Sequence, residues 1–264
     1  MQLREHMTTP TTAATQTRHR RLAVITIVIL AVGAILLATH NARADELFVL
    51  AVAPSFYLMW HFHHADKYKN ESLGLLLGTF ALGGFFAIVA AIIEPGQPQN
   101  AGIVVTFLYF FFGIAFIEEL AKFVAVRILA YRSPHFDEAM DGVIFGIAAG
   151  LGFATVENVF YVFDYGGAVA LFRAFVSVPG HAFYAAIMGY HLGEAKIRKM
   201  PWLAVRGLAI AITLHAVFDT LAQVAGGFDL ILLPALVWFI YFAIVKKELA
   251  KAQSESVYRP STQQ

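Results

Sequence analysis

The sequence contains no cysteine, and charged residues make up only 14% of it. The missing cysteine excludes disulfides, a thiol nucleophile, Cys-ligated zinc and iron–sulfur clusters, and it leaves the redox compartment open. Soluble domains carry about 25% charged residues, whereas this chain of 264 residues is 59% hydrophobic, with a mean hydropathy of +0.66. The net charge of +1 is not gathered in a basic patch, so we expect no nucleic-acid partner. The composition predicts a polytopic membrane protein.

Long apolar runs divide the chain into about eight predicted transmembrane helices, separated by short connectors rich in Gly and Pro. The fold class is therefore all-α, a polytopic membrane helical bundle. We expect a polar N-terminal tail at 1–21, one transmembrane domain at 22–246 that carries the site, and a short C-terminal tail at 247–264. The eight runs cover residues 22–39, 46–62, 73–93, 102–130, 142–164, 169–193, 203–225 and 229–246.

The distribution of Lys and Arg predicts that both termini are cytoplasmic, since short cytoplasmic loops are enriched in these residues. With the N-terminus inside, all but three of the 19 Lys and Arg residues fall in cytoplasmic segments, and the exceptions are Arg43, Lys122 and Arg173. Arg173 lies about one turn inside the external end of its helix, so we expect its side chain to snorkel outward. Ala42-Arg43-Ala44 resembles a signal-peptide cleavage site, but the first run is longer than a signal-peptide core and favours an uncleaved helix.

Two adjacent glutamates and a lysine interrupt the apolar run 102–130 at Glu118, Glu119 and Lys122. A charge at the centre of a membrane-spanning helix costs ~2.5–3.5 kcal/mol. We therefore expect these three side chains to face the protein interior and not the lipid. Glu118 and Lys122 are four residues apart and share a helical face, whereas Glu119 lies ~100° away from Glu118. Lys122 is then either the counter-ion of Glu118 or a functional group.

Ionisable residues on three further predicted helices fall at a similar depth. At 1.5 Å per residue from the cytoplasmic helix ends, Glu118, His181 and His215 lie ~18 Å deep, and Glu157 and Asp219 lie ~22–24 Å deep. Residues from four helices thus fall in one layer near the bilayer midplane, which predicts a shared buried site. A duller interpretation remains for His215 and Asp219, which could form a hydrogen-bonded clamp between helices.

Carboxylates and histidines that converge in a low-dielectric layer suit the activation of a water molecule. A glutamate would act as general base, and His215 or His181 would donate to the oxyanion. The same groups could instead bind a divalent metal such as zinc. The cofactor is otherwise left unknown. The chain lacks the H-E-x-x-H, G-x-G-D and G-x-S-x-G motifs of other hydrolases. The candidate metal ligands are Glu118, Glu157, His181 and His215.

Four short motifs follow one another along the predicted helices. They are Glu118-Glu119-x-x-Lys122, Phe153-x-x-x-Glu157-Asn158, His181 after Val178-Pro-Gly, and His215-x-x-x-Asp219. In this order they resemble the PrsW family of intramembrane proteases, which belongs to a superfamily with the type II CAAX prenyl endopeptidases. A further segment, residues 136–146, also resembles the family, although Ala139 stands where a proline is expected. The resemblance covers about residues 113 to 221.

The resemblance implies roles for the matching residues. One of Glu118 and Glu119 activates water, and our interpretation is that Glu118 is the base with Glu119 in support. Glu157 holds that water or a metal. His181, His215 and Asp219 complete the catalytic set, and Lys122 and Asn158 support it.

The resemblance also implies a substrate, a single-span membrane protein similar to an anti-sigma factor, cleaved in the lipid bilayer of a bacterial or archaeal plasma membrane. The oligomeric state is left unknown. Two other hypotheses come from different classes. A proton- or cation-coupled transporter would use the same buried groups, although the sequence shows no repeated halves. A non-catalytic scaffold would tolerate substitution of the whole layer.

Overall fold

The computed structural model describes residues 44–69 and 71–260, and these residues fold into helices joined by short loops, without strands. Two π-helical segments, Phe110–Ala115 and Tyr241–Val245, each lie between two α-helices without a break in the chain. The α-helices are α1 Ala44–His63, α2 Leu73–Ile93, α3 Ile103–Tyr109, α4 Phe116–Ile128, α5 Ala139–Tyr165, α6 Gly167–Phe175, α7 Ser177–Ile197, α8 Trp202–Val224, α9 Asp229–Ile240 and α10 Lys246–Ser254.

Six helical stretches in the described ranges are long and apolar enough to cross a membrane. They correspond to the third to eighth predicted runs, and their ends lie within four residues of the predicted limits except that the last one continues to Ser254. The second predicted run, 46–62, is a helix in the structure but is not among these six. The first predicted run, 22–39, lies outside the described residues. The chain is thus a multi-pass helical membrane protein, and the count of eight and the cytoplasmic termini stay predictions.

Helices α5 and α7 form the centre of the bundle, since nearly every residue from Ala139 to Thr155 and from Ser177 to Ala195 is buried. Their backbones approach closely because small residues repeat every four positions along both helices. A Cβ added to Gly142 would lie 2.1 Å from the carbonyl oxygen of Gly189, and one added to Gly189 would lie 2.0 Å from that of Gly142. Small residues at such spacing let membrane helices pack by direct backbone contact.

Replacing Gly189 by alanine is therefore expected to destabilise the protein by about 1–3 kcal/mol, because the methyl group forces the two central helices apart. A thermal-unfolding series in detergent measures the change. Gly74→Ala is the matched control, since an added Cβ there would meet its nearest atom at 4.0 Å. Equal melting temperatures for the two variants would contradict the backbone contact.

Local sequence explains where the central helices begin and end. Glu138 and Asp141 form a reciprocal capping box at the start of α5, and Gly166, with φ of 86°, ends that helix. The predicted continuous run 169–193 divides at Val176 into α6 and α7. Pro179 lies in the first turn of α7, where its missing N–H costs no hydrogen bond. This division points the start of α7 into the bundle and sets the position of His181.

The π-helical segment Phe110–Ala115 is separated from the glutamate pair by two residues, and the chain next to it contacts the loop that follows α2. The Tyr109 hydroxyl donates a hydrogen bond to the carbonyl oxygen of Pro95 at 2.8 Å. Gly113 leaves room for the Pro95 ring, because a Cβ there would lie 2.9 Å from the proline Cγ. Single π-helical turns inside α-helices are frequent at functional sites.

Candidate active site

The charged residues of α4 form a compact buried cluster. Lys122 is fully buried, and its Nζ donates to Glu119 Oε1 at 2.6 Å and to Glu118 Oε2 at 3.3 Å. The sequence pairs Lys122 with Glu118 through the i,i+4 spacing, whereas the shorter contact is with Glu119 at i,i+3. A buried charge needs a partner and hydrogen bonds, and one ammonium here serves two carboxylates.

His181 links this cluster to α5. Its Nδ1 lies 2.8 Å from Lys122 Nζ, and its Nε2 lies 2.8 Å from Glu157 Oε2. An ammonium group can only donate, so Nδ1 must accept, and the ring proton of a neutral His181 is then on Nε2. The contact with Lys122 thus fixes the tautomer, and Nε2 lies against the Glu157 carboxylate.

The prediction that Arg173 snorkels outward is wrong. Its side chain is 9% exposed, and its Nη2 lies 3.1 Å from Glu157 Oε2. Its Nε donates to Asn158 Oδ1 at 2.9 Å, while Asn158 Nδ2 donates to the Ala51 carbonyl oxygen at 2.7 Å. Arg173 turns inward because the carboxylate of Glu157 offers it a charged partner inside the bundle, one that sequence spacing does not reveal. Asn158 thus connects Arg173 to α1.

The fourth motif brings α8 to the same cluster. His215 Nδ1 lies 2.9 Å from Glu119 Oε1, and its Nε2 lies 3.4 Å from Asp219 Oδ2 and 3.9 Å from Glu118 Oε2. The rings of His181 and His215 meet edge to face, with centroids 5.1 Å apart. The i,i+4 pair His215 and Asp219 therefore faces the glutamates of α4.

A cavity of about 740 Å³ opens beside this cluster, at the end of the bundle that carries the loop 94–98. Its size lies in the range of small-molecule and cofactor sites. Five of the predicted site residues line its wall, whereas Glu119, Lys122 and Asn158 are not among the lining residues. Glu118 is thus the glutamate of the pair that faces the cavity. The five are Glu118, Glu157, His181, His215 and Asp219.

Sequence reasoning missed other polar residues of the cavity wall. Glu94, in the loop after α2, lines the cavity near its opening, and burial together with the nearby charge of Glu157 raises the pKa of Glu94 to about 7. Tyr184 lines the cavity from α7, three residues after His181 and so on the same helical face. That spacing is the signal in the sequence that points to Tyr184, whereas Glu94 lies in a connector and no motif marks it.

The buried residues Glu118, Glu119, His181 and His215 each offer a ligand atom, and these atoms lie within 4.8 Å of one another. By residue type and spacing the group could hold a metal such as zinc. This group differs from the metal ligands predicted from the sequence in one residue, since it includes Glu119 and not Glu157. Lys122 Nζ, however, contacts Glu118, Glu119 and His181 at 2.6–3.3 Å. Two cations among the same donors repel strongly in a buried site, so the arrangement does not fit a divalent ion while Lys122 is in place.

A helical membrane bundle with a buried carboxylate and histidine cluster beside a cavity has the architecture expected of an intramembrane hydrolase. A sequence profile described as "PrsW family intramembrane metalloprotease" matches residues 71–245. The chain therefore belongs to the PrsW family, and it is a protease.

Curated relatives named "Protease PrsW" match most of the chain. The protein of Halalkalibacterium halodurans is 31% identical over 209 residues, which cover 78% of this chain and 97% of the relative. The protein of Bacillus subtilis is 31% identical over 206 residues, which cover 76% of this chain and 94% of the relative. No solved structure matches the chain.

Proposed function

We propose that this protease hydrolyses a peptide bond of a single-span membrane protein within the bacterial cell membrane, through a water activated by Glu118. The observation that carries the proposal is the convergence of Glu118, Glu157 and His215 on the wall of one cavity inside the bundle. By family resemblance, the substrate is a membrane-anchored protein similar to an anti-sigma factor.

The proposed reaction uses Glu118 as the general base. Its carboxylate takes a proton from water, and the oxygen of that water attacks the scissile carbonyl carbon to give a tetrahedral oxyanion. The C–N bond then breaks, and the proton passes from Glu118 to the departing amine. Lys122 and Glu119 stay behind the cavity wall, where the ammonium keeps Glu118 oriented and supplies a fixed positive charge close to the reacting water.

The other residues hold and orient groups in this scheme. Glu157, held by Arg173 and His181, presents a carboxylate that can accept a hydrogen bond from the attacking water. His215 bridges Glu119 and Asp219, so both its nitrogens face carboxylates, and Asp219 orients the ring on the cavity side. Positioning of this kind lets a water-activated step proceed without movement of the protein groups.

The test is cleavage in proteoliposomes that contain the purified protein and a labelled single-span peptide. We expect two fragments whose masses place the cut inside or at the edge of the span, and we expect cleavage to persist after chelation to a verified metal-free state. The substrate with its span replaced by a soluble sequence serves as control and is expected to remain intact.

Two outcomes of the same preparation would contradict the proposal. Proton or cation flux through the liposomes, without cleavage of any peptide tested, would favour the transporter hypothesis. Loss of all cleavage on chelation, restored by one equivalent of zinc, would replace the metal-free scheme with a metal-dependent one.

A further inference from the structure

Tyr184 on α7 carries a buried polar group that the scheme above does not use. Its side chain is 1% exposed, and its hydroxyl has no hydrogen-bond partner among residues 44–69 and 71–260. The residue lines the cavity, and its ring stacks on the ring of His215 with centroids 5.3 Å apart. A buried hydroxyl without a partner is unfavourable and rare in native proteins, so this one calls for a partner that enters from the cavity.

Two other donor side chains of the cavity wall, His181 and Arg173, already lie against partners in the bundle. His181 has one nitrogen on Lys122 and the other on Glu157, each at 2.8 Å. Arg173 donates to Asn158 and lies 3.1 Å from Glu157. Neither side chain can turn to a substrate carbonyl without giving up a charged contact in the bundle.

His215 is engaged in the same way. Its Nδ1 lies 2.9 Å from Glu119, and its Nε2 faces Asp219 at 3.4 Å. Hydrolysis nevertheless needs a donor aimed at the oxygen on which negative charge develops. The hydroxyl of Tyr184 is a donor without an acceptor at this wall, and it is held beside His215 by the stacked rings.

A glycine on α7 lies next to the Tyr184 hydroxyl. Gly180 lies one turn earlier on α7, and a Cβ added there would be 3.3 Å from the Tyr184 hydroxyl oxygen. Any larger residue at position 180 would therefore take the space beside the hydroxyl. Glycine at position 180 therefore keeps side-chain atoms away from the hydroxyl.

We propose that Tyr184 is a further catalytic residue, whose hydroxyl donates a hydrogen bond to the scissile carbonyl oxygen, and this rests on the proposed peptidase function. When the water activated by Glu118 attacks the carbonyl carbon, the C=O bond becomes a C–O⁻ single bond. The phenol keeps its proton throughout, and its hydrogen bond strengthens as charge builds on the oxygen. The bond is released when the carbonyl re-forms and the amine departs.

Tyr184→Phe tests this assignment, because it removes one oxygen and keeps the ring that stacks on His215. We expect kcat to fall by about 10²–10³-fold, the loss seen when one oxyanion donor is removed. KM should change little, because the hydrogen bond is stronger in the transition state than in the bound substrate. The melting temperature should stay equal or rise, since the variant no longer buries an unpaired hydroxyl.

Tyr190→Phe is the matched control. Tyr190 lies on the same helix, is 5% exposed and also carries a buried hydroxyl, but it faces a separate recess that Lys251 also lines. We expect its kcat to equal that of the wild type. A merely structural hydroxyl at Tyr184 would make the two phenylalanine variants behave alike, and that result would overturn the assignment.

Gly180→Ala supplies a second, independent variant. It keeps the hydroxyl but places a methyl group against it, and alanine favours the helix over glycine, so folding is expected to hold while kcat falls about tenfold or more. Full activity of both Tyr184→Phe and Gly180→Ala, with cleavage by the wild type and none by Glu118→Gln, would overturn the role of Tyr184 and leave the peptidase function standing. Absence of cleavage by the wild type would instead remove the function on which the inference rests.

Discussion

Glu118→Gln is expected to lower kcat by about 10²–10⁴-fold, because an amide cannot take the proton of the attacking water. The amide has nearly the same shape as the carboxyl group, so the variant protein should fold as the wild type does. Fluorogenic cleavage of a single-span peptide in proteoliposomes, with a melting curve for each preparation, measures both effects. Glu71→Gln is the matched control, since Glu71 is also 5% exposed but lies outside the cavity.

The same substitution at Glu119 separates the two glutamates. Glu119 is fully buried, accepts from Lys122 at 2.6 Å and lies 2.9 Å from His215, so Glu119→Gln should lower the melting temperature as well as the activity. Undiminished kcat in Glu118→Gln would contradict its role as base. A larger loss of kcat in Glu119→Gln at an unchanged melting temperature would move that role to Glu119.

Lys122→Met is expected to destabilise the protein by about 3–5 kcal/mol, the cost of removing one partner from a buried ion pair. Glu118 and Glu119 would then lie close together in the bundle without their common cation. We also expect the variant to gain affinity for zinc. The four potential ligand residues, whose ligand atoms lie within 4.8 Å of one another, would lose the ammonium group that contacts three of them. Denaturant unfolding and metal analysis after dialysis against zinc measure the two effects.

The control for this variant is Lys196→Met. Lys196 Nζ donates to the backbone carbonyls of Tyr131 and Phe136, and not to carboxylates. The Lys196→Met variant should lose less stability than Lys122→Met and should take up no zinc. Stoichiometric zinc in the wild-type protein, equal to that in Lys122→Met, would show that the ammonium does not exclude a metal from the site.

The sequence predicts most of the helices because each span must present a long apolar surface to lipid. Hydropathy therefore locates the six candidate spans within a few residues, apart from the longer last one. It does not show the break at Val176 or the π-helical turns, which depend on hydrogen-bond register and leave composition unchanged. It also does not indicate how closely Gly142 and Gly189 approach, although their spacing pattern with other small residues is visible in the sequence.

The candidate site residues could be chosen from the sequence, because ionisable groups inside membrane spans are costly and therefore rare. Those of this chain also fall at a similar depth on four predicted helices. The structure brings Glu118, Glu157, His181, His215 and Asp219 to one cavity, while their catalytic roles stay predictions. Depth along a helix does not determine which partner a long side chain selects. The i,i+4 spacing correctly pairs Lys122 with Glu118, but it does not show the shorter contact with Glu119. The outward direction predicted for Arg173 is wrong, and Tyr184 is not singled out because aromatic residues are common in membrane helices.

The π-helical turn at Phe110–Ala115 has a consequence for the phase of the helix that contains it. Counted at 3.6 residues per turn from the buried Thr106, an uninterrupted α-helix would turn positions near 117, 120 and 124 inward. The helix instead buries Glu118, Glu119 and Lys122, between one and two residues later in phase. One extra residue in the turn thus rotates the inner half by about 100° relative to the outer half. The residues before the π-helical turn can therefore face lipid, while the charged side chains after it face the protein interior.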